Sequence, residues 1–153
     1  GVTPNPVVGQ RVLDLFCGSG SLGLEALSRG AEHVTFVDLN GPALALTKQN
    51  IHALAADAHC QCLQSDAQSL PPAKQAVSLV IMDPPYTEDP LQRVYNSLSA
   101  QGWLEAFTVI VCEISAKTRA PEALGQASLI KQRRYGNSQV VMYQEEGFEQ
   151  DEA

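Results

Sequence analysis

Cysteine is scarce in this chain and never spaced for chemistry: Cys17, Cys60, Cys62 and Cys112 form no C-x-x-C pair. A zinc ribbon or a dithiol redox site therefore has no ligand set to start from. Cys60 and Cys62 point to one face of a short strand, so reduced, packed thiols and a cytoplasmic location are expected. The histidines, His33, His52 and His59, assemble no nucleophile or metal constellation, and no metal site is expected. No apolar run approaches the ~20 residues that span a bilayer, and no basic-then-apolar signal opens the chain; no membrane partner is expected. The first residue is Gly1 rather than Met, which reads as a processed or truncated start.

Base is in deficit too. Ten Lys and Arg stand against seventeen acids, for a net charge of −7, a poor match to a nucleic-acid-binding surface. Much of that deficit is local: Glu145, Glu146, Glu149, Asp151 and Glu152 crowd the C-terminus, and without them twelve acids face ten bases. The reading is a single domain over 1–146, expected to be monomeric, and an acidic, disordered tail over 147–153. Lys131, Arg133 and Arg134 cluster; they read equally as a phosphate-steering group or as a plain solvated edge.

What the chain has is alternation. Val12–Phe16, His33–Leu39, Cys60–Gln64, Val77–Met82 and Phe107–Ile114 read as strands. Ser19–Arg29, with Leu22, Ala26 and Leu27 on one face, and the segments from Pro42 to Ala55 and Pro90 to Ala100 read as helices. A short helix is expected after Pro121. Ser128–Tyr135 and Gln139–Gln144 flank Gly136-Asn137-Ser138, a hairpin signal. Strands alternating with helices imply a mostly parallel sheet in a three-layer, Rossmann-like α/β fold, closed here by an antiparallel hairpin at one edge. Tyr95 and Trp103 are assigned to the core, and Asn50 to a solvated position or a packing contact.

Between the first strand and helix, Gly18-Ser19-Gly20-Ser21-Leu22-Gly23 fits G-x-G-x-x-G, and acidic Asp38 closes the next strand. A dinucleotide fingerprint has this form. Asp14, four residues before Gly18, argues otherwise. A pyrophosphate wants N–H dipoles and no carboxylate nearby, whereas S-adenosylmethionine carries an ammonium and a sulfonium that an acid favours. The glycines let backbone approach such a ligand closely, and Asp38 would chelate its ribose hydroxyls. Asp66 ends the third strand, where it would meet the adenine amine or else cap a turn. Phe16, Ser19, Leu39 and Ala67 complete the expected cofactor contacts. The plain alternative is a tight turn at the glycines with Asp38 capping the next helix.

Asp83-Pro84-Pro85-Tyr86 follows the apolar run Val77–Met82. Proline has no N–H and fixes φ near −65°, and each residue before a proline is pushed towards extended backbone. The turn is stiff, offers carbonyl acceptors and almost no donors, and places a carboxylate and a ring beside them. It suits a planar amine, with Asp83 and the Pro84 carbonyl accepting its hydrogens and Tyr86 stacking on the base. Asp83, Pro84, Pro85 and Tyr86 are the expected catalytic residues, with Thr87–Asp89 as a lip.

Together, Asp14–Ala31 (DLFCGSGSLGLEALSRGA), Val34–Asp38 (VTFVD) and Met82–Tyr86 (MDPPY) resemble class I S-adenosylmethionine-dependent methyltransferases. More closely, the run LGLEALSRGA, then Gly102–Leu104 (GWL) and Tyr135–Tyr143 (YGNSQVVMY), resemble the bacterial family that methylates guanine N2 in 16S ribosomal RNA. The resemblance implies S-adenosylmethionine as methyl donor, S-adenosylhomocysteine as product, and 16S rRNA or the assembling small ribosomal subunit as partner. It also implies a basic segment ahead of the first strand, which this chain does not include. Adenine-N6 DNA methyltransferases share D-P-P-Y, so the motif alone leaves adenine and guanine open. An NAD-binding oxidoreductase domain and a non-catalytic scaffold are the readings from other classes.

Overall fold

The computed structural model describes residues 7–85 and 90–147. Five parallel strands form one side of the sheet: β1 (Arg11–Leu15), β2 (His33–Asp38), β3 (Cys60–Gln64), β4 (Val77–Met82) and β5 (Leu104–Ser115). Helices α1 (Ser21–Ser28), α2 (Gly41–Ala53) and α3 (Leu91–Ala100) supply crossovers. Past β5 the chain turns antiparallel through β6 (Ala123–Leu124), β7 (Ala127–Tyr135) and β8 (Ser138–Glu145). The spatial order is β3-β2-β1-β4-β5-β8-β7-β6.

The sheet has two buried faces because successive residues of its central strands point to opposite sides. Val12, Val34 and Phe36 face α1 and α2, where Ala26, Leu44 and Ile51 pack on them. Leu13, Leu15, Val80 and Met82 face α3, packing with Leu91, Val94 and Leu98. This is the three-layer Rossmann-like architecture that the alternation predicts. Trp103 and Tyr95 are buried in the α3 layer as expected. No disulfide joins the four cysteines; burial pushes the Cys17 thiol up to about 12, against a hydrogen bond with Thr47 that lowers it.

Three expectations need correction. The segment after Pro121 is no helix: Gly125 at φ 54 turns the chain so that Ala123–Leu124 pairs with Ala127–Ser128. Only three residues lie between that proline and the glycine, too few for a helix. On α1 the buried positions are Gly23 and Ala26, while Leu22 is exposed. β5 begins earlier than Phe107, which has φ 65 at an irregularity where the pairing with β4 shifts register. Thr108 Oγ1 holds the kink by donating to Val77 O at 2.8 Å and accepting from Glu105 N at 2.9 Å. Glu145, counted above among the C-terminal acids but inside the domain, closes β8, is 3% exposed, and accepts from Tyr95 Oη at 2.9 Å.

Candidate active site

Leu15 pairs with Met82 in parallel register, so the chain leaves β1 and β4 at one level of the sheet. The strand order reverses direction between these two strands, and such switch points are where open α/β sheets bind ligands. The glycine loop and the Asp83-Pro84-Pro85 turn therefore emerge side by side.

The loop begins with a strained residue. Phe16 has φ 58, a left-handed backbone that bulky residues rarely hold and that often marks a functional site. Cys17 N then donates to Val37 O at 3.0 Å and Gly20 N to Cys17 O at 2.8 Å, which folds the loop against β2. Its two glycines do different work. A Cβ on Gly20 would come within 2.8 Å of Thr47 Cγ2, so this glycine allows α2 to pack. Nothing lies within 4 Å of a Cβ at Gly18, so ligand can approach the backbone there.

Two residues of α2 fasten the loop. Thr47 Oγ1 donates to Gly18 O at 2.6 Å, and Asn50 Nδ2 donates to Ser19 O at 2.9 Å. Sequence reasoning left Asn50 as a packing or solvated residue and did not single out Thr47. Their spacing of three, on the helix that follows the acidic strand end, was the available signal.

Asp14 sits beneath the loop, 1% exposed, with Oδ2 accepting from Gly23 N at 3.0 Å. Burial pushes its carboxyl up to about 7, opposed by the Gly23 hydrogen bond and assisted by the charges of Asp38 and Asp83. Gly23 must be glycine here, because a Cβ would strike the Phe36 ring and approach Asp14 Oδ2 at 2.9 Å. Asp38, the last residue of β2, accepts from Gly18 N at 2.9 Å and from Asn40 N at 2.8 Å. The cap of α2 is Asn40, which accepts from Ala43 N at 2.9 Å, so Asp38 is not a helix cap. A carboxylate has about four acceptor positions, which leaves Asp38 capacity for a diol. Leu39 beside it is exposed.

Asp66 follows β3 and closes a turn by accepting from Gln68 N at 2.8 Å, over buried Ala67. Its carboxylate also borders an open cleft of about 470 Å³ shared with Arg93 and Asn96. Asp83 is exposed one residue beyond Met82, Pro84 is buried and Pro85 exposed. Tyr86 and Thr87–Asp89 lie outside the described residues. Partial desolvation, then the charge of Glu113, raises the Asp83 carboxyl. Glu113 was not anticipated; it follows Cys112, the registered partner of Met82, and only the register brings it beside Asp83.

Carboxylates thus stand at or near the carboxyl ends of all five parallel strands. Such a ring favours a cationic ligand and opposes a pyrophosphate. With open backbone at Gly18, these residues fit S-adenosylmethionine, whose ammonium and sulfonium are opposite in sign to the carboxylates. Among the described residues, no helix is long and apolar enough to cross a membrane.

The chain is similar to known proteins. The family described as Conserved hypothetical protein 95 matches residues 2–144. YlbH of Bacillus subtilis is 36% identical over 143 residues, covering 91% of this chain and 78% of that protein. Ribosomal RNA small subunit methyltransferase D of Escherichia coli is 30% identical over 141 residues, covering 92% of this chain and 71% of that protein. The solved structure of a conserved hypothetical protein of Streptococcus pyogenes has a TM-score of 0.79 at 32% identity, covering 91% of this chain and 88% of that one. From motifs, fold and relatives together, the chain belongs to the Conserved hypothetical protein 95 family, that of the ribosomal RNA small subunit methyltransferase D proteins.

Proposed function

We propose that this protein transfers the methyl group of S-adenosylmethionine to an exocyclic amino group of a nucleobase, guanine N2 of 16S rRNA in the assembling small ribosomal subunit. The observation that carries this reading is the Leu15–Met82 register, which brings a donor-binding loop and an amine-binding turn out of the sheet together. An rRNA substrate would place the enzyme in the cytoplasm with ribosome assembly.

In this reading Gly18, Ser19 and Gly20 form the floor under the cofactor, with Phe16 beside them. Asp38 takes the ribose hydroxyls with Leu39 alongside, Asp66 and Ala67 meet the adenine, and Asp14 attracts the ammonium from below. S-adenosylmethionine, when bound, supplies an electrophilic methyl on a sulfonium that departs as neutral sulfide. The difficulty lies with the amine, whose lone pair is delocalised into the base. The Asp83 carboxylate and the Pro84 carbonyl accept its two N–H bonds and turn them out of conjugation, freeing the pair to form the N–C bond. Pro84 and Pro85 hold those acceptors stiffly, so the acceleration comes from orientation and electrostatics. Once nitrogen is cationic, one proton passes to Asp83 and then to solvent. Tyr86 stacks on the base, which must leave any helical stack first.

The deciding experiment offers methyl-labelled S-adenosylmethionine with small subunits, naked rRNA and duplex DNA, then digests each product to nucleosides. N2-methylguanosine from the rRNA samples is expected. N6-methyladenine in DNA as the main product would overturn the choice of substrate.

A further inference from the structure

Charge is distributed unevenly along this acidic chain. Between Ile114 and Gln144, five of the ten bases face a single acid, Glu122. The fold gathers these bases at the end of the sheet beyond β5. Alternation along β7 divides the basic cluster that sequence reasoning treated as one unit. Lys131 pairs with Met142 and Arg133 with Val140, so both share a face with Val111 and Glu113, the partners of those β8 residues on β5. That is also the face of Asp83, because Ile81 pairs with Val111 and residues two apart on a strand share a side. Arg133 is three strands away from Asp83, roughly 14 Å at strand spacing. Tyr135, the next residue of that face, is 55% exposed and lies with the Arg133 guanidinium 5.9 Å from its ring centroid. On the opposite face, Arg134 joins Lys117 and Arg119 around a pocket of about 320 Å³. None of these bases is in an ion pair among the described residues.

We infer that this basic edge is the docking surface for the RNA strand that carries the target nucleotide. Phosphates would be held on both faces of the edge, and a base flanking the target would stack on Tyr135 beside Arg133. The inference rests on the proposed rRNA substrate and adds how that substrate is held. Three observations favour single-stranded RNA: the sign reversal within an acidic protein, the exposed ring among the bases, and a shared face with Asp83. Stacking platforms combined with cationic tracks are how single strands are bound. Lysine and arginine on an open edge strand also discourage edge-to-edge pairing, and the test separates the two roles.

Wild type and the triple variant Lys131→Ala/Arg133→Ala/Arg134→Ala, each saturated with S-adenosylhomocysteine, are titrated with a single-stranded fragment of small-subunit rRNA over a range of salt. The variant should lose at least about tenfold in RNA affinity at physiological salt, and its log–log salt slope should flatten by about two, since each phosphate contact on a single strand contributes ~0.7. S-adenosylhomocysteine affinity and Tm should not change. Tyr135→Phe should retain RNA affinity, whereas Tyr135→Ala should lose roughly tenfold, as expected for a lost stack. Unchanged affinity and slope in the triple variant, or a wild type that binds duplex DNA as tightly as RNA, would overturn the inference. If the wild type binds RNA through this edge yet methylates neither rRNA nor small subunits, the docking surface stands and the proposed reaction falls.

Discussion

Asp83 and Glu113 stand side by side on adjacent parallel strands, each one residue beyond the registered pair Met82–Cys112. Partial desolvation, with the charge of Glu113 added to it, raises the Asp83 carboxyl from its ordinary value. A like charge disfavours ionisation, so removing it lets Asp83 ionise at lower pH. Glu113→Gln should therefore shift the acid limb of the kcat profile to lower pH. A limb that stays in place would show that Asp83 ionisation does not set it.

Asp83→Ala should abolish methyl transfer while S-adenosylhomocysteine binds within a few fold of wild type, a loss of at least ~10²-fold in kcat being typical when an oriented acceptor is removed. Isothermal calorimetry with single-turnover kinetics separates the two quantities. Normal turnover by this variant would sink the acceptor role.

Asp38 joins the glycine loop to the end of β2 through its bond from Gly18 N. Asp38→Ala should weaken S-adenosylmethionine binding by roughly tenfold or more, since hydrogen bonds to a charged group are worth about 1.5–3 kcal/mol. Unchanged affinity by calorimetry would count against the ribose assignment.

Asp14 gives a prediction about pH with a definite sign. Its carboxyl is raised from 3.8 to about 7 by burial, opposed by the Gly23 hydrogen bond. The folded chain therefore keeps a proton that the unfolded chain releases, and stability contributed by this group falls as pH rises from about 4 to about 7. Wild type should lose stability relative to Asp14→Asn across that window in thermal unfolding. S-adenosylmethionine affinity should rise through neutral pH as the carboxylate ionises. A stability difference that is flat with pH would mean that Asp14 titrates elsewhere.

Tyr95 and Glu145 close the α3 layer, the hydroxyl donating to the carboxylate at 2.9 Å while itself accepting from Gln126 N at 3.2 Å. Tyr95→Phe removes the hydroxyl partner of a buried carboxylate and should cost about 1–3 kcal/mol, read as a lower denaturant midpoint. The methylation rate of the folded variant should not move, because the pair lies on the α3 side of the sheet.

Local chemistry made much of the site legible. The pair of prolines fixes its own backbone shape, Gly18 and Gly20 permit a turn that other residues resist, and alternating apolar runs bury themselves with a fixed period. The parallel strands, the glycine loop and the Asp83-Pro84-Pro85 turn could be read that way; the family was read from the resemblance of the motifs. Burial and cross-strand partners could not, because they depend on which distant residues arrive. Asp14 looked like an open strand mouth and lies under Gly23; Glu145 looked like one of a run of C-terminal acids and is locked to Tyr95. Thr47 and Asn50 gained their place when α2 packed on the loop, and Glu113 when β5 settled beside β4. The basic cluster on β7 was visible as composition, but its division between two faces follows from a register set by β8. What the sequence by itself determined were the shapes and chemistry local to the chain. The tertiary structure decided which charges meet and how much water they keep, since both are set by neighbours remote in sequence.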